Sequence, residues 1–239
     1  LSNIKEVDAI LHMVRTFEDN SVIHVANKVD PMQDIGVINL ELVLADFETV
    51  SKRLANLERD AKRGVKEAVY EEGILKKVEA VLEKSQMATE ANLSDEEKFK
   101  IKSLNLLTLK PMLYALNISE ANENVEITAP GLWVKIDPVF EKGFDDLIKK
   151  SYELLGLETF FTTGEDETRA WTIKVGSTAP IAGTAIHTDF KDKFIRAETV
   201  FWKDLLDAGS YAEARNKGKV RTEGKEYIVK DGDIIEFKI

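Results

Sequence analysis

An apolar run from Met112 to Leu116 closes on Asn117, Ile118, Ser119 and Glu120, and these four residues carry a distinct offer of chemistry. An asparagine amide donates and accepts, and a carboxylate three residues on accepts twice, so the pair matches the polar edge of a nucleobase. Loops that follow parallel strands are where open α/β sheets bind ligands. A turn asparagine followed by a solvated glutamate fits the same residues. A second group is basic: Arg215, Lys217, Lys219, Arg221 and Lys225 cluster around Gly218 and Gly224. Such a cluster can contact nucleic-acid phosphates, with an affinity that falls as salt rises, or can simply keep an exposed loop soluble. His24 sits in a polar stretch, where an imidazole titrating near neutrality can position or deprotonate water; a loop histidine without a role reads the same way. His12, in an apolar run, reads as a satisfied core histidine, and His187 as structural or RNA-facing.

Composition narrows the classes. The 239 residues are 44% hydrophobic, enough to bury a real core, and no run of eighteen apolar residues occurs. The first residues, LSNIKEVDAI, form neither a signal nor a transit sequence, so a cytoplasmic protein without a membrane partner is expected. With no cysteine and three scattered histidines there is no thiolate or zinc cluster, and metal chemistry must use oxygen ligands. A net charge of -10 argues against wholesale coating of nucleic acid and against DNA specificity. From Glu158 to Ile239, however, 13 Lys or Arg face 15 Asp or Glu, which allows a local basic patch. Because the chain opens at Leu1 inside an amphipathic segment, it reads as a piece of something longer.

The elements that must position these residues follow from periodicity. VDAILHMVRT reads as a strand of a parallel sheet covered on both faces, with Arg15 exposed. FEDNSVIHVANKVDPMQD reads as a loop. From Val37, the residues Leu40, Leu44, Phe47, Leu54, Leu57 and Ala61 recur at helical spacing; Gly64 interrupts, and Ile74, Val78, Val81 and Leu82 mark a second helix. Two long charged helices with narrow apolar stripes predict an antiparallel hairpin projecting from a body. Ser94 and Glu97 form a capping box, which starts a helix ending near Leu104. Pro111 breaks the chain before the Met112–Leu116 strand, and residues 144–155 predict a helix capped by Gly156. Short alternating segments follow, with a helix from about Trp202 to Leu206 and an Asp231-Gly232 hairpin turn, together an independent α+β domain.

Several stretches, in order, resemble the YchF group of Obg-like P-loop ATPases (TRAFAC class, Obg family): LSNIKEVDAILHMVRTFEDNSVIHV, VDPMQDIGVINLELVLADFETV, SLNLLTLKPMLYALNISE, RAWTIKVGSTAPIAGTAIHTDFKDKFIRAE and EGKEYIVKDGDIIEF. The resemblance spans most of residues 1–120 and 144–239. It implies an α/β fold: an incomplete P-loop NTPase (GTPase-like) domain over residues 1–38 and 104–157, interrupted by an inserted antiparallel helical hairpin (coiled coil) over 39–103. An α+β, β-grasp-like TGS domain over 158–239, of a kind found in ribosome- and RNA-associated proteins, completes it. Asn117, Ile118, Ser119 and Glu120 match the family's base-specificity motif. GTPases of the class carry Asp at the last position, and the longer Glu120 resembles relatives that accept ATP. His24 matches a loop histidine used in place of the water-orienting glutamine. RNA contact by the five basic residues rests mainly on the TGS resemblance.

The resemblance also has gaps. No G-x-x-x-x-G-K-[ST] phosphate loop is present, since the family places it and its switch segment upstream of the residue matching Leu1. ATP would bring Mg2+, held by those segments and by no residue assigned here, so the chain is expected to bind nucleotide weakly and not to hydrolyse it. After Glu120 the family continues to a Ser-Ala-Lys type segment, whereas ENVEITAPGLWVKIDPVFEKGFDD is shorter and unlike it. Residues are missing there or the junction is rebuilt, and 121–143 receive no base contacts. The expected function is a ribosome-associated, translation-linked switch that hydrolyses ATP in preference to GTP. The alternative is a ribosome- or RNA-binding module without hydrolysis.

Overall fold

The computed structural model describes residues 4–19, 22, 28–119, 122, 130–164 and 166–239. It divides into two compact units, Leu1–Leu155 and Gly156–Ile239.

In the first unit, strand β1 (Ile10–Arg15) precedes helix α1 (Pro31–Lys62). The helix starts inside the stretch expected to be a loop. Asp and Pro are turn residues, but they also begin helices: the Asp30 carboxylate accepts from Gln33 N at 3.1 Å, and Pro31 sits where no intrahelical N–H is required. Gly64, at φ 76°, turns the chain into α2 (Lys66–Leu82). Arg53 pairs with Glu71 and Ser51 with Glu79, so the two helices run in opposite directions side by side. Val43, Val50 and Leu57 pack on Ile74, Leu75, Val78 and Leu82, with Phe47, Leu54 and Ala61 partly buried. Leu40 and Leu44, expected on the apolar stripe, are 43% and 58% exposed. The reason is that the first half of α1 turns another face inward, where Ile35 packs with Val14, Tyr114 and Leu116 on the sheet.

The capping box at Ser94 starts α3 (Asp95–Lys100), and a 3-10 turn continues it to Leu104. The buried Asp46 carboxylate of α1 then accepts from Leu107 N at 2.8 Å, Thr108 N at 2.7 Å and Thr108 Oγ1 at 2.6 Å. This fixes the segment that enters strand β2 (Met112–Asn117). Strand β3 (Leu132–Ile136) and helix α4 (Phe144–Leu155) complete the unit. The sheet order is β1-β2-β3, all parallel. Tyr114 and Leu116 face the side covered by Ile35 of α1, while Leu113 and Ala115 face Leu147 and Leu154 of α4. His12 is not the satisfied core residue expected: its Nδ1 is buried without a hydrogen-bond partner among the described residues, and burial lowers its pKa, opposed by Asp34.

The second unit contains β4 (Leu157–Thr163), β5 (Thr168–Lys174), α5 (Ala179–Gly183), α6 (Asp189–Lys193), β6 (Arg196–Phe201), α7 (Trp202–Ala208), α8 (Tyr211–Asn216), β7 (Arg221–Glu223) and β8 (Asp233–Lys238). Its sheet order is β5-β4-β8-β6-β7. Phe160, Ile173, Phe194 and Ile235 fill one face, and Val200, Ala214 and Ile234 the other. Asp231-Gly232 does not form the expected hairpin turn. β8 pairs with β6 and β4, while the segment before the turn bonds to residues 177–179 through Val229 N to Ser177 O and Ala179 N to Tyr227 O. Gly232 donates instead to Thr159 O at 2.8 Å, and the Asp231 carboxylate accepts from Thr159 N at 2.9 Å, so the turn is clamped to β4.

Candidate functional site

Parallel pairing brings the carboxyl ends of three strands to one edge, with Arg15 opposite Asn117 and Asn117 opposite Ile136. Thr16 donates N–H and Oγ1–H to the carbonyl of Asn117 at 3.2 and 2.8 Å, and Ile118 N donates to Ile136 O at 2.9 Å. Asn122 then closes the turn. Its Oδ1 accepts from Ser119 N at 2.7 Å and Ser119 Oγ at 3.2 Å, while its Nδ2 donates to Thr16 O at 2.7 Å and Thr16 Oγ1 at 2.9 Å. The resulting cleft of about 380 Å³ is lined by Phe17, residues 117–119 and residues 137–140.

The chemistry of this cleft is divided. Asn117 has its main chain tied on both sides, yet its side-chain amide makes no hydrogen bond among the described residues and remains available to a ligand. Asp137, the lining carboxylate, is buried and committed: its Oδ1 accepts from Val139 N at 3.0 Å and Phe140 N at 3.2 Å. That turn leaves Val139 and Phe140 83% and 52% exposed, an apolar wall beside the amide. Gly143 permits it, because at φ 80° a Cβ there would lie 2.1 Å from Lys135 O. An apolar wall with one unspent amide suits a flat ring with a polar edge.

Arg15 organises the other margin by donating to the carbonyls of Phe17, Val22 and Asp19, with its guanidinium 5.4 Å from the Phe17 ring centre. Glu120 and His24, the two other residues expected here, lie outside the described residues.

The architecture and the cleft can now be set beside known proteins. Residues 157–239 match the model of YchF-GTPase_C, described as a protein of unknown function (DUF933). The "Ribosome-binding ATPase YchF" of Bacillus subtilis (strain 168) is 44% identical over 275 residues, covering 100% of this chain and 75% of the relative. The protein of that name from Haemophilus influenzae is 39% identical over 270 residues, again covering 100% of this chain and 74% of the relative. The chain belongs to the YchF group of Obg-like P-loop GTPases. A solved YchF structure, "Structure of the Schizosaccharomyces pombe YchF GTPase", superposes with a TM-score of 0.82 at 33% identity, covering 99% of this chain and 74% of that one. It bears out the mixed α/β fold with a parallel sheet. The alignment to the Bacillus YchF spans 275 residues against 239 here, so that YchF carries residues without a counterpart in this chain.

Within this YchF chain the basic residues are unequal. Arg215 pairs with Glu198, and Lys219 reaches Asp204 at 3.1 Å. Arg221 donates to Glu223 at 3.0 Å and to Tyr227 Oη at 3.0 Å, and lies 3.7 Å from Asp233. Burial and the Asp233 carboxylate push Tyr227 up to about 12, so its hydroxyl stays protonated and donates to Asp233 at 2.6 Å. Lys217 and Lys225 are exposed and make no ion pair among the described residues. The His187 ring is exposed, its Nδ1 accepting from Asp189 N at 3.2 Å beside the Asp189 carboxylate.

Sequence reasoning missed Asn122 and the Asp137–Phe140 turn. For Asn122 a local signal existed, since a Ser and an Asn three apart readily bond each other's backbone in a turn. Among the described residues no group of three or more His, Cys, Asp or Glu is arranged to hold a metal ion.

Proposed function

We propose that the cleft binds the base of ATP and that the chain works as part of a ribosome-associated ATPase switch. The observation that carries this reading is the Asn117 amide, unpartnered among the described residues, beside the apolar wall of Val139 and Phe140 at the carboxyl edge of a parallel sheet. Asn117 and Glu120 read the adenine edge, Ile118 and Ser119 hold the turn, and Phe17 and Phe140 bound the ring. His24 orients the attacking water. In this reading α1 and α2 are the inserted helical hairpin, and residues 158–239 are a TGS domain that faces ribosomal RNA through Lys217 and Lys225, with Arg215, Lys219 and Arg221 behind them.

Support comes from relatives named "Ribosome-binding ATPase YchF". The solved Schizosaccharomyces pombe relative is named a GTPase, so base preference has to be measured on this chain. Magnesium enters with the ATP phosphates, and no residue of this chain is assigned to it; Asp137 is already committed to its turn. The sequence contains no phosphate-cradling G-x-x-x-x-G-K-[ST] loop, so these 239 residues alone bind ATP weakly and do not turn it over. A cytoplasmic location accords with ribosome association. Among the described residues no helix is long and apolar enough to cross a membrane.

Calorimetric titration with ATP and GTP is the test. ATP binds more tightly than GTP to the chain, and Glu120→Asp shifts the preference toward GTP because the shorter carboxylate accepts both guanine donors. Equal heats for both nucleotides, unchanged in Glu120→Asp, contradict base reading. No binding of either favours a ribosome- or RNA-binding module without nucleotide chemistry.

A further inference from the structure

Strand β5 is one edge of the second unit's sheet, and its seven residues include neither Pro nor Gly. Natural sheets blunt their edges, as the three-residue β7 does on the far side, but β5 is left long. The hairpin with β4 decides which main-chain groups this edge presents. Val175 N donates to Gly156 O and Gly164 N to Glu167 O, both at 2.9 Å, and hydrogen-bonded pairs alternate between these two ends. Arg169, Trp171 and Ile173 therefore turn their N–H and C=O toward β4, while Thr168, Ala170 and Thr172 turn theirs outward. Ser177 closes the edge beyond, donating N–H at 3.1 Å and Oγ–H at 2.6 Å to Lys174 O. Trp171 stiffens the strand: it packs on the core, donates Nε1–H to Thr162 Oγ1 at 2.9 Å and carries the Arg169 guanidinium 4.1 Å from its ring centre. An edge ordered in advance loses little entropy when another strand joins it.

The residues along this edge select its occupant. Set antiparallel to a copy of itself with Ala170 on the two-fold axis, β5 places Thr168 opposite Thr172, Arg169 opposite Trp171 and Asp166 opposite Lys174. Each is a favourable cross-strand pair: hydroxyl with hydroxyl, cation with indole, carboxylate with ammonium. Asp166 is exposed and makes no ion pair among the described residues. Sliding the copy by two residues one way sets Arg169 against Arg169, and the other way sets Arg169 against Ile173 and Lys174 against Thr168. Neither shifted register opposes unlike charges. An acidic strand from another protein would meet Asp166 and Glu167, and a basic one would meet Arg169 and Lys174; a second copy answers both signs.

We propose that two copies of this chain join through β5, antiparallel about Ala170, so that the two five-stranded sheets become one continuous sheet across a two-fold axis. Arg169 then lies against Trp171 of the partner subunit, and Lys174 against Asp166 of the partner subunit. This association is independent of the nucleotide cleft.

The experiment is size-exclusion chromatography with light scattering on the full chain over a range of concentrations. The wild-type mass rises with concentration to twice that of one chain. Ala170→Pro abolishes the rise, because proline removes an N–H that points away from β4, and circular dichroism shows the fold retained. Ala170→Lys and Ala170→Glu each weaken the dimer at least about tenfold by setting like charges across the axis. Mixing those two variants restores it as a heterodimer, a result that only the register with Ala170 opposite Ala170 produces and that requires both chains to be folded. A wild-type chain that stays monomeric at every concentration overturns the proposal. So does a dimer that survives Ala170→Pro, or a Lys and Glu mixture that associates no better than either variant alone.

Discussion

Asn122 reaches across 106 residues of sequence to donate its Nδ2 to the carbonyl of Thr16 at 2.7 Å. The same side chain accepts from the backbone N–H of Ser119, so one amide joins the ends of β1 and β2 and holds the turn after Asn117. Asn122→Ala removes both donor and both acceptor bonds at a part-buried position. It is expected to cost about 1–3 kcal/mol and to lower ATP affinity. Asn122→Asp keeps the acceptors but sets a carboxylate against the Thr16 carbonyl, and should lose as much. Thermal unfolding and calorimetry check this; an Asn122→Ala chain with wild-type melting and binding would show that the bridge does not position the site.

Asp46 works at the opposite end of β2. Its carboxylate satisfies two backbone N–H groups and the Thr108 hydroxyl, and that hydroxyl in turn accepts from Ala88 N at 3.2 Å. Asp46→Ala leaves those donors buried without acceptors, with an expected loss of about 3 kcal/mol measured by urea unfolding. Asp46→Asn does not rescue, because its NH2 faces donors. A loss below about 1 kcal/mol in both variants would mean that the segment finds other partners.

Glu158 sets a pH dependence in the second unit. Its Oε1 is buried without a partner among the described residues, and burial raises its pKa, opposed by a bond from the Gly176 backbone and helped by Asp231 and Asp233. A carboxyl with a raised folded pKa binds its proton more tightly when folded, so its stabilising contribution is present below the ordinary value of 4.5 and is lost as pH rises through the folded value. Glu158→Gln should therefore raise the melting temperature of residues 156–239 near neutrality and flatten its decline between pH 4.5 and neutrality. A melting temperature lowered at pH 7 would contradict this account of the site.

The parts of the fold that could be read from sequence were those whose signals are local and periodic. Ser94 and Glu97 marked a helix start, and Pro111 set the boundary of β2. The start of α1 was hidden because Asp30-Pro31 signals a turn and a helix cap alike. β8 escaped because Asp231-Gly232 looks like a hairpin locally, whereas its partners lie 30 or more residues away on β4 and β6. At the site, Asn117 was legible from its place after an apolar strand. The wall of Val139 and Phe140 was not, since it exists only once β3 pairs with β2 and Asp137 folds back on its own loop.

The most direct measurement is the side-chain amide resonance of Asn117, assigned in the 15N-labelled chain and followed during titration with ATP. If this edge reads the base, the Asn117 Nδ2 signals shift together with the backbone amides of Val139 and Phe140, more with ATP than with GTP. Shifts elsewhere in the chain while the Asn117 amide and the Val139–Phe140 wall stay unmoved would contradict the assignment of the cleft.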